Sequence, residues 1–158
     1  MRVQLAQHDD VKSWFELAAE VEHLFGPMVS EPGFHEALNL NIERGSAFCI
    51  RENDGGPGAP LTAGLLFSPE PPVYQIGWLS VASRCRRQGL ATALVRHTMS
   101  LVRPPAELTV MTFGPDDPEG GPARQFYMAM GFAPSELSDQ PEGNPRQVFR
   151  RTFDSVRE

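Results

Sequence analysis

Lysine is nearly missing from this chain. Lys12 is the sole lysine among its Lys+Arg total of 14, so no Gly-Lys-Ser/Thr phosphate loop exists and ATP hydrolysis of that type is excluded. Cysteine is scarce as well. Cys49 and Cys85 are the only two, and they show neither a CxxC pair nor metal-ligand spacing, so reduced thiols are expected and no metal site is predicted. No uninterrupted apolar span reaches the roughly 18 residues that a membrane helix needs. The opening MRVQLAQHDDVKSW has no apolar run after Arg2, which predicts a cytoplasmic protein without a membrane partner. An excess of basic charge is absent too. The net charge of -6 argues against a broad nucleic-acid or acidic-membrane surface, while leaving room for a local anion site. Internal repeats and low-complexity tails are absent.

Glycine and proline are plentiful and clustered, and they cut the chain into elements. The clusters are Asp54 to Gly58, Pro69 to Pro72, Pro104-Pro105, Gly114 to Pro122 and Pro141 to Pro145. Between them, Arg2 to Ala6 alternates like a strand, and Asp9 or Asp10 can cap a helix running to about Phe25. That helix would align Val11, Trp14, Phe15, Ala18, Val21 and Phe25 as a packing face. A second helix starts near Glu31-Pro32 and ends at Arg44, with Gly45 in the left-handed stop position. Ser46 to Arg51 and Leu61 to Phe67 read as a hairpin, and Tyr74 to Ala82 as a fourth strand. A helix from about Gln88 to Val102 leads to a strand at Glu107 to Phe113, which implies a parallel pair joined by a crossover. Pro122 opens a last helix, Gly131 ends it, and Gln147 to Phe153 is the closing strand. At 158 residues such a chain buries roughly 70% of its unfolded surface, enough for a single domain spanning 1–158.

The most informative stretch runs from Tyr74 to Val102. A strand rich in β-branched and aromatic residues gives way to Arg86-Arg87-Gln88-Gly89-Leu90-Ala91, and then to a helix. A helix start leaves backbone N–H groups unpaired and carries partial positive charge, so a small-residue turn there suits an anion, phosphate above all. Gly89 and Ala91 keep the approach open, and Arg86 and Arg87 add charge. Read alone, Arg84, Arg86 and Arg87 would equally make a solvated cluster. A dinucleotide fingerprint fails, since the turn holds one glycine of the required set.

This segment resembles the acyl-CoA-binding signature of the GNAT N-acetyltransferase superfamily, Gln/Arg-x-x-Gly-x-Gly/Ala, through Arg86, Gly89 and Ala91. Ala123-x-x-x-Tyr127-x-x-x-Gly131-Phe132 resembles that family's later helix and its closing Gly-Phe. The resemblance implies an α/β (α+β) fold of β-α-α-β-β-β-α-β-α-β order. Its central mixed, mostly antiparallel sheet would have six to seven strands flanked by about four helices, with a parallel pair splayed at the cofactor site. It also implies an N-acetyltransferase that carries an acetyl or other acyl group from acetyl-CoA to a small-molecule or peptide amine by direct attack. A non-catalytic or regulatory acyl-CoA-binding module is the alternative. A homodimer is implied by the resemblance alone.

Carried over residue by residue, the pyrophosphate falls to the turn of Arg86, Arg87, Gln88, Gly89, Leu90, Ala91 and Thr92. The pantetheine arm would lie beside Leu79, Ser80 and Val81, with the amide near Leu79 facing the thioester oxygen, where a donor stabilises the developing oxyanion. Tyr127 matches the position of the family's proton donor to the leaving thiolate and touches the cofactor there. The same ring belongs to an apolar stripe of Ala123, Phe126, Tyr127 and Met130, which packing alone explains. Two positions depart from the family. Gln75 stands where several members carry a base, eleven residues before Arg86, and glutamine accepts no proton at working pH. Gly120 stands where members often carry an asparagine that contacts the cofactor. Glu22, His23, Glu31, His35 and Glu43 are the candidate bases of the first two helices, each equally explained as part of a solvated helix face. His97 is expected on the outward side of its helix, with no role.

Overall fold

The computed structural model describes residues 1–138 and 145–154. Five α-helices and seven strands alternate in it: β1 (Gln4–Leu5), α1 (Val11–Ala19), α2 (Glu22–Phe25), α3 (Pro32–Arg44), β2 (Ala47–Arg51), β3 (Leu61–Ser68), β4 (Val73–Val81), α4 (Leu90–Ser100), β5 (Ala106–Phe113), α5 (Gly121–Ala129), β6 (Ala133–Leu137) and β7 (Arg146–Phe153). The strands form one sheet in the order β1-β2-β3-β4-β5-β7-β6. Its pairing is antiparallel except for β4 with β5, the mixed sheet that the resemblance implies. Contacts group the chain into two compact units, Met1–Ser68 with Trp78–Ser100 and Pro69–Gly77 with Leu101–Glu158.

In the first unit α1 and α3 cover the hairpin of β2 and β3. Every β2 residue is buried, as expected of a strand enclosed on both faces. Trp14 is wholly buried and lies against β3 because Gly64 has no side chain; a Cβ there would come within 2.8 Å of the indole. Asp10, expected as a helix cap, makes no such cap. Its carboxylate is fully buried, paired with Arg51 at 2.7 Å, and it accepts the amides of Gln7 and Gly58. The helix expected to reach Phe25 is broken in two. α1 stops at Ala19, Val21 leaves helical geometry at φ -112° and ψ 5°, and α2 follows as a short separate turn. The break lets Val21 bury itself against Ala18 and Met28 and leaves Phe25 43% exposed instead of on the packing face. α3 ends as expected, on Gly45 in the left-handed region.

In the second unit β4 runs parallel to β5, from Val73 opposite Glu107 to Ile76 opposite Val110. The register stops there, short of the end of β4 at Val81. β5 pairs along its whole length with β7, and Tyr127, Phe132 and Phe149 gather into an aromatic core. β6 was absent from the element order expected of the sequence. It is an edge strand on β7, where Pro134 is tolerated because the outer side of an edge needs no amide donor. Of the loop expected at Pro141 to Pro145, residues 141–144 lie outside the described residues.

Candidate acyl-CoA site

The segment from Leu79 to Thr92 lies within the first unit. Leu79 and Val81 are half-buried and Ser80 is buried at the end of β4. Ala82 then turns the chain, its amide bound to the Thr62 carbonyl at 2.8 Å. A single 3-10 turn, Ser83–Cys85, follows. Arg86, Arg87, Gln88 and Gly89 are exposed, and the helix begins at Leu90, two residues later than Gln88, its expected start.

The late start has a backbone cause. Arg87 at φ 64° and Gly89 at φ 80° both lie in the left-handed region, which interrupts any helix and which a non-glycine residue adopts at a cost. The first bond into α4 runs from the Ala93 amide to the Gly89 carbonyl. Among the described residues, no backbone carbonyl takes the amides of Gly89 to Thr92. A Cβ built on Gly89 meets nothing within 4 Å. The turn is thus open above its glycine, with a run of unpaired donors at the positive end of an eleven-residue helix, the arrangement that binds phosphate.

Behind this turn sits a contact that the sequence did not reveal. The Glu20 carboxylate accepts the Ser83 amide at 3.0 Å and the Ser83 hydroxyl at 2.7 Å. Partial burial pushes the Glu20 carboxyl up, but these two bonds and the charges of Arg84 and Arg86 outweigh it and hold it below its ordinary range. Arg84 also lies 3.8 Å from Glu52, both side chains exposed.

Tyr127, on α5 in the second unit, is 6% exposed. Its ring packs on Phe126, Phe132 and Phe149, the packing that the apolar stripe implies. Burial pushes its pKa well above that of an ordinary phenol, which keeps the hydroxyl protonated. No hydrogen-bond partner for that hydroxyl is found among the described residues. Gly131, at φ 92°, ends the helix, and the Arg151 guanidinium fills the space where its Cβ would be.

The two departures from the family take definite form. Gln75 is exposed and stands opposite Thr109 of β5, so neither partner titrates. A Cβ on Gly120 would lie 2.3 Å from the Phe113 Cβ, so the asparagine contact is sterically excluded. The candidate bases sort themselves. Glu22 is engaged as an acceptor for the amides of Met28, at 2.6 Å, and Val29. His35 directs Nε2 at the Val29 carbonyl, 2.5 Å away, and stacks on Phe15. With that nitrogen donating, only Nδ1 remains to accept a proton. His23, Glu31 and Glu43 are exposed. His97, expected outward, is half-buried edge-on against Phe48. Both cysteines are free, and burial pushes the Cys49 thiol up to about 11, which leaves it inert.

Comparison with known proteins agrees with the fold. The model of the acetyltransferase (GNAT) family matches residues 9–132, and the chain belongs to that family. No curated protein matches it by sequence. Among solved structures, a GNAT-family protein from Desulfovibrio desulfuricans is 19% identical, with 96% of each chain covered and a TM-score of 0.73. The ribosomal-protein-alanine N-acetyltransferase of Brucella melitensis is 11% identical, covering 97% of this chain and 100% of that one, with a TM-score of 0.73. The PaiA N-acetyltransferase of Thermoplasma acidophilum, solved with coenzyme A, is 12% identical over 96% of this chain and 98% of that one, with a TM-score of 0.68. At such identities the likeness is one of fold.

Proposed function

We propose that the whole chain is one acyltransferase domain that moves an acetyl group from acetyl-CoA to an α-amine by direct attack. The observation that carries this reading is the row of unpaired amides from Gly89 to Thr92 beneath the open face of Gly89. Those donors neutralise a diphosphate without burying an unpaired ion, and Arg86 and Arg87 supply counter-charge. Leu79, Ser80 and Val81, beyond the last β4–β5 pair, offer backbone groups to the pantetheine arm. The amide near Leu79 then stabilises the oxyanion as the amine nitrogen bonds to the thioester carbon. When the C–S bond breaks, the family resemblance assigns to the protonated Tyr127 hydroxyl the proton for the departing sulfur, and the surplus proton of the newly acylated nitrogen, passed through solvent, restores the phenol.

The nature of the acceptor follows from Gln75. With no carboxylate at that position, we infer that the attacking nitrogen sheds its proton to water, so that its own acidity weighs on the rate. At pH 8 about half of an α-amine is neutral, against about 0.4% of a lysine ε-amine, from ordinary pKa values near ~8 and ~10.4. The roughly hundredfold larger share of reactive neutral amine, offset in part by the greater intrinsic nucleophilicity of the more basic lysine nitrogen, favours peptide or protein N-termini and amino acids over lysine side chains. The name of the Brucella neighbour, an alanine N-acetyltransferase, points the same way.

Thiol release from acetyl-CoA, followed over matched α-amine and ε-amine acceptors, tests the proposal. Turnover should favour α-amines and fall by about 10²-fold or more in Tyr127→Phe, with cofactor binding kept. Lysine acceptors turning over as well as α-amines would overturn the acceptor reading. Absence of turnover with every acceptor would instead favour an acyl-CoA-binding module.

A further inference from the structure

We propose that Glu20 is a positioning residue that couples the cofactor turn to the loop between α2 and α3. The inference rests on acetyl-CoA binding at Arg87 to Thr92. Two contacts from the α1–α2 side bracket the strand end Leu79 to Val81. At one end, the Trp78 indole donates to the Met28 sulfur at 3.3 Å. At the other, Ser83 gives both its amide and its hydroxyl to Glu20. A backbone segment gripped at both ends shifts little without moving its anchors.

Those anchors are joined to each other. Glu20 and Glu22 flank Val21, where α1 breaks. Glu20 reaches across to Ser83, while Glu22 holds the amides of Met28 and Val29. The Val29 carbonyl in turn takes His35. Hydrogen bonds from Ser83 to Glu20 and from Glu22 to residues 28–29 and on to His35 are therefore joined through the covalent backbone of the α1–α2 break. The break makes this path: an uninterrupted helix would carry Glu20 and Glu22 on fixed faces some 200° apart and leave Val21 unable to bury beside Met28. An anion that tightens the turn after Ser83 would thereby also order residues 26–30.

Hydrogen exchange with coenzyme A as the probe decides the matter without knowledge of the acceptor. In the wild type, saturating coenzyme A should slow exchange both at residues 83–92 and at 26–30. In Glu20→Ala the protection at 83–92 should remain and that at 26–30 should be lost. Glu20→Gln keeps an acceptor oxygen for Ser83 and should restore the distant protection, a rescue that a purely structural role would not give. Protection at 26–30 that is absent in the wild type, or unchanged in Glu20→Ala, would overturn the coupling. No protection at 83–92 in the wild type would overturn the cofactor site itself, and the coupling with it.

Discussion

Gly89→Val separates backbone strain from ligand blockage. Gly89 sits at φ 80°, so any side chain costs about 1–2 kcal/mol of stability through the left-handed backbone, with valine at the upper end. For a chain of this size that corresponds to a melting loss of roughly 2–8 °C. The Cβ itself meets nothing within 4 Å, so the added methyls point into the space that a diphosphate would occupy. Acetyl-CoA at 100 times its dissociation constant should stabilise the parent by about 2.7 kcal/mol, a shift of roughly 5–11 °C by the same conversion. Gly45→Val is the matched control. Gly45 has φ 73°, an equally open Cβ and no proposed ligand, so it should melt lower by a similar amount and still show the full ligand shift. Scanning calorimetry of parent, Gly45→Val and Gly89→Val, each with and without acetyl-CoA, supplies the comparison. A ligand shift in Gly89→Val as large as in Gly45→Val would refute the placement of the diphosphate.

Two other substitutions test the packing that carries the site. Asp10→Asn leaves Arg51 buried without its counter-charge and should cost about 3–5 kcal/mol at pH 7, read by denaturant titration. Burial raises the Asp10 carboxyl, but the bonds from Arg51, Gln7 and Gly58 outweigh it and set its pKa below the ordinary value. Its stabilisation is therefore complete above the unfolded value near ~3.9 and is lost as pH falls through the folded one, so parent and variant should converge only in strong acid. Equal stability at pH 7 would contradict the pairing. Gly120→Asn, which restores the family's side chain, should lower the melting temperature by overpacking of about 1–3 kcal/mol against Phe113 and should not tighten acetyl-CoA binding. A tighter complex with unchanged melting would show that the 2.3 Å approach relaxes freely.

What the sequence made legible was local. The turn at Gly45, the hairpin of β2 and β3 and the crossover from β4 through α4 to β5 each follow from residues within a few positions of one another, where periodicity and breakers act directly. The strand β6 escaped because it is short, contains Pro134 and is held only by β7, a partner that local pattern cannot announce. The break after α1 escaped for a related reason. Nothing in Ala19-Glu20-Val21 forbids a helix, and it ends there because burial of Val21 and the pull of Ser83 outweigh a few more helical bonds, both of them tertiary effects that override propensity.

The site shows the same division. The exposed turn from Arg86 into α4 was readable because the spacing of arginine, glycine and alanine is itself the signal. The left-handed Arg87 and the later helix start were not, since a non-glycine residue gives no warning that it will take that conformation. The Asp10–Arg51 pair spans 41 residues and the Glu20–Ser83 contact spans 63, and both use residue types that abound on any surface. A carboxylate becomes informative only once its donors are known. Glu20, Glu22 and Asp10 look alike in the sequence, yet one anchors Ser83 ahead of α4, one secures the loop before α3, and one neutralises a buried guanidinium. Of the bases named from the sequence, Glu22 is therefore removed by what it already holds, and His35 keeps one free nitrogen. On the proposed reading, with Gln75 unable to take a proton, the acidity of the acceptor itself is the quantity on which selectivity turns.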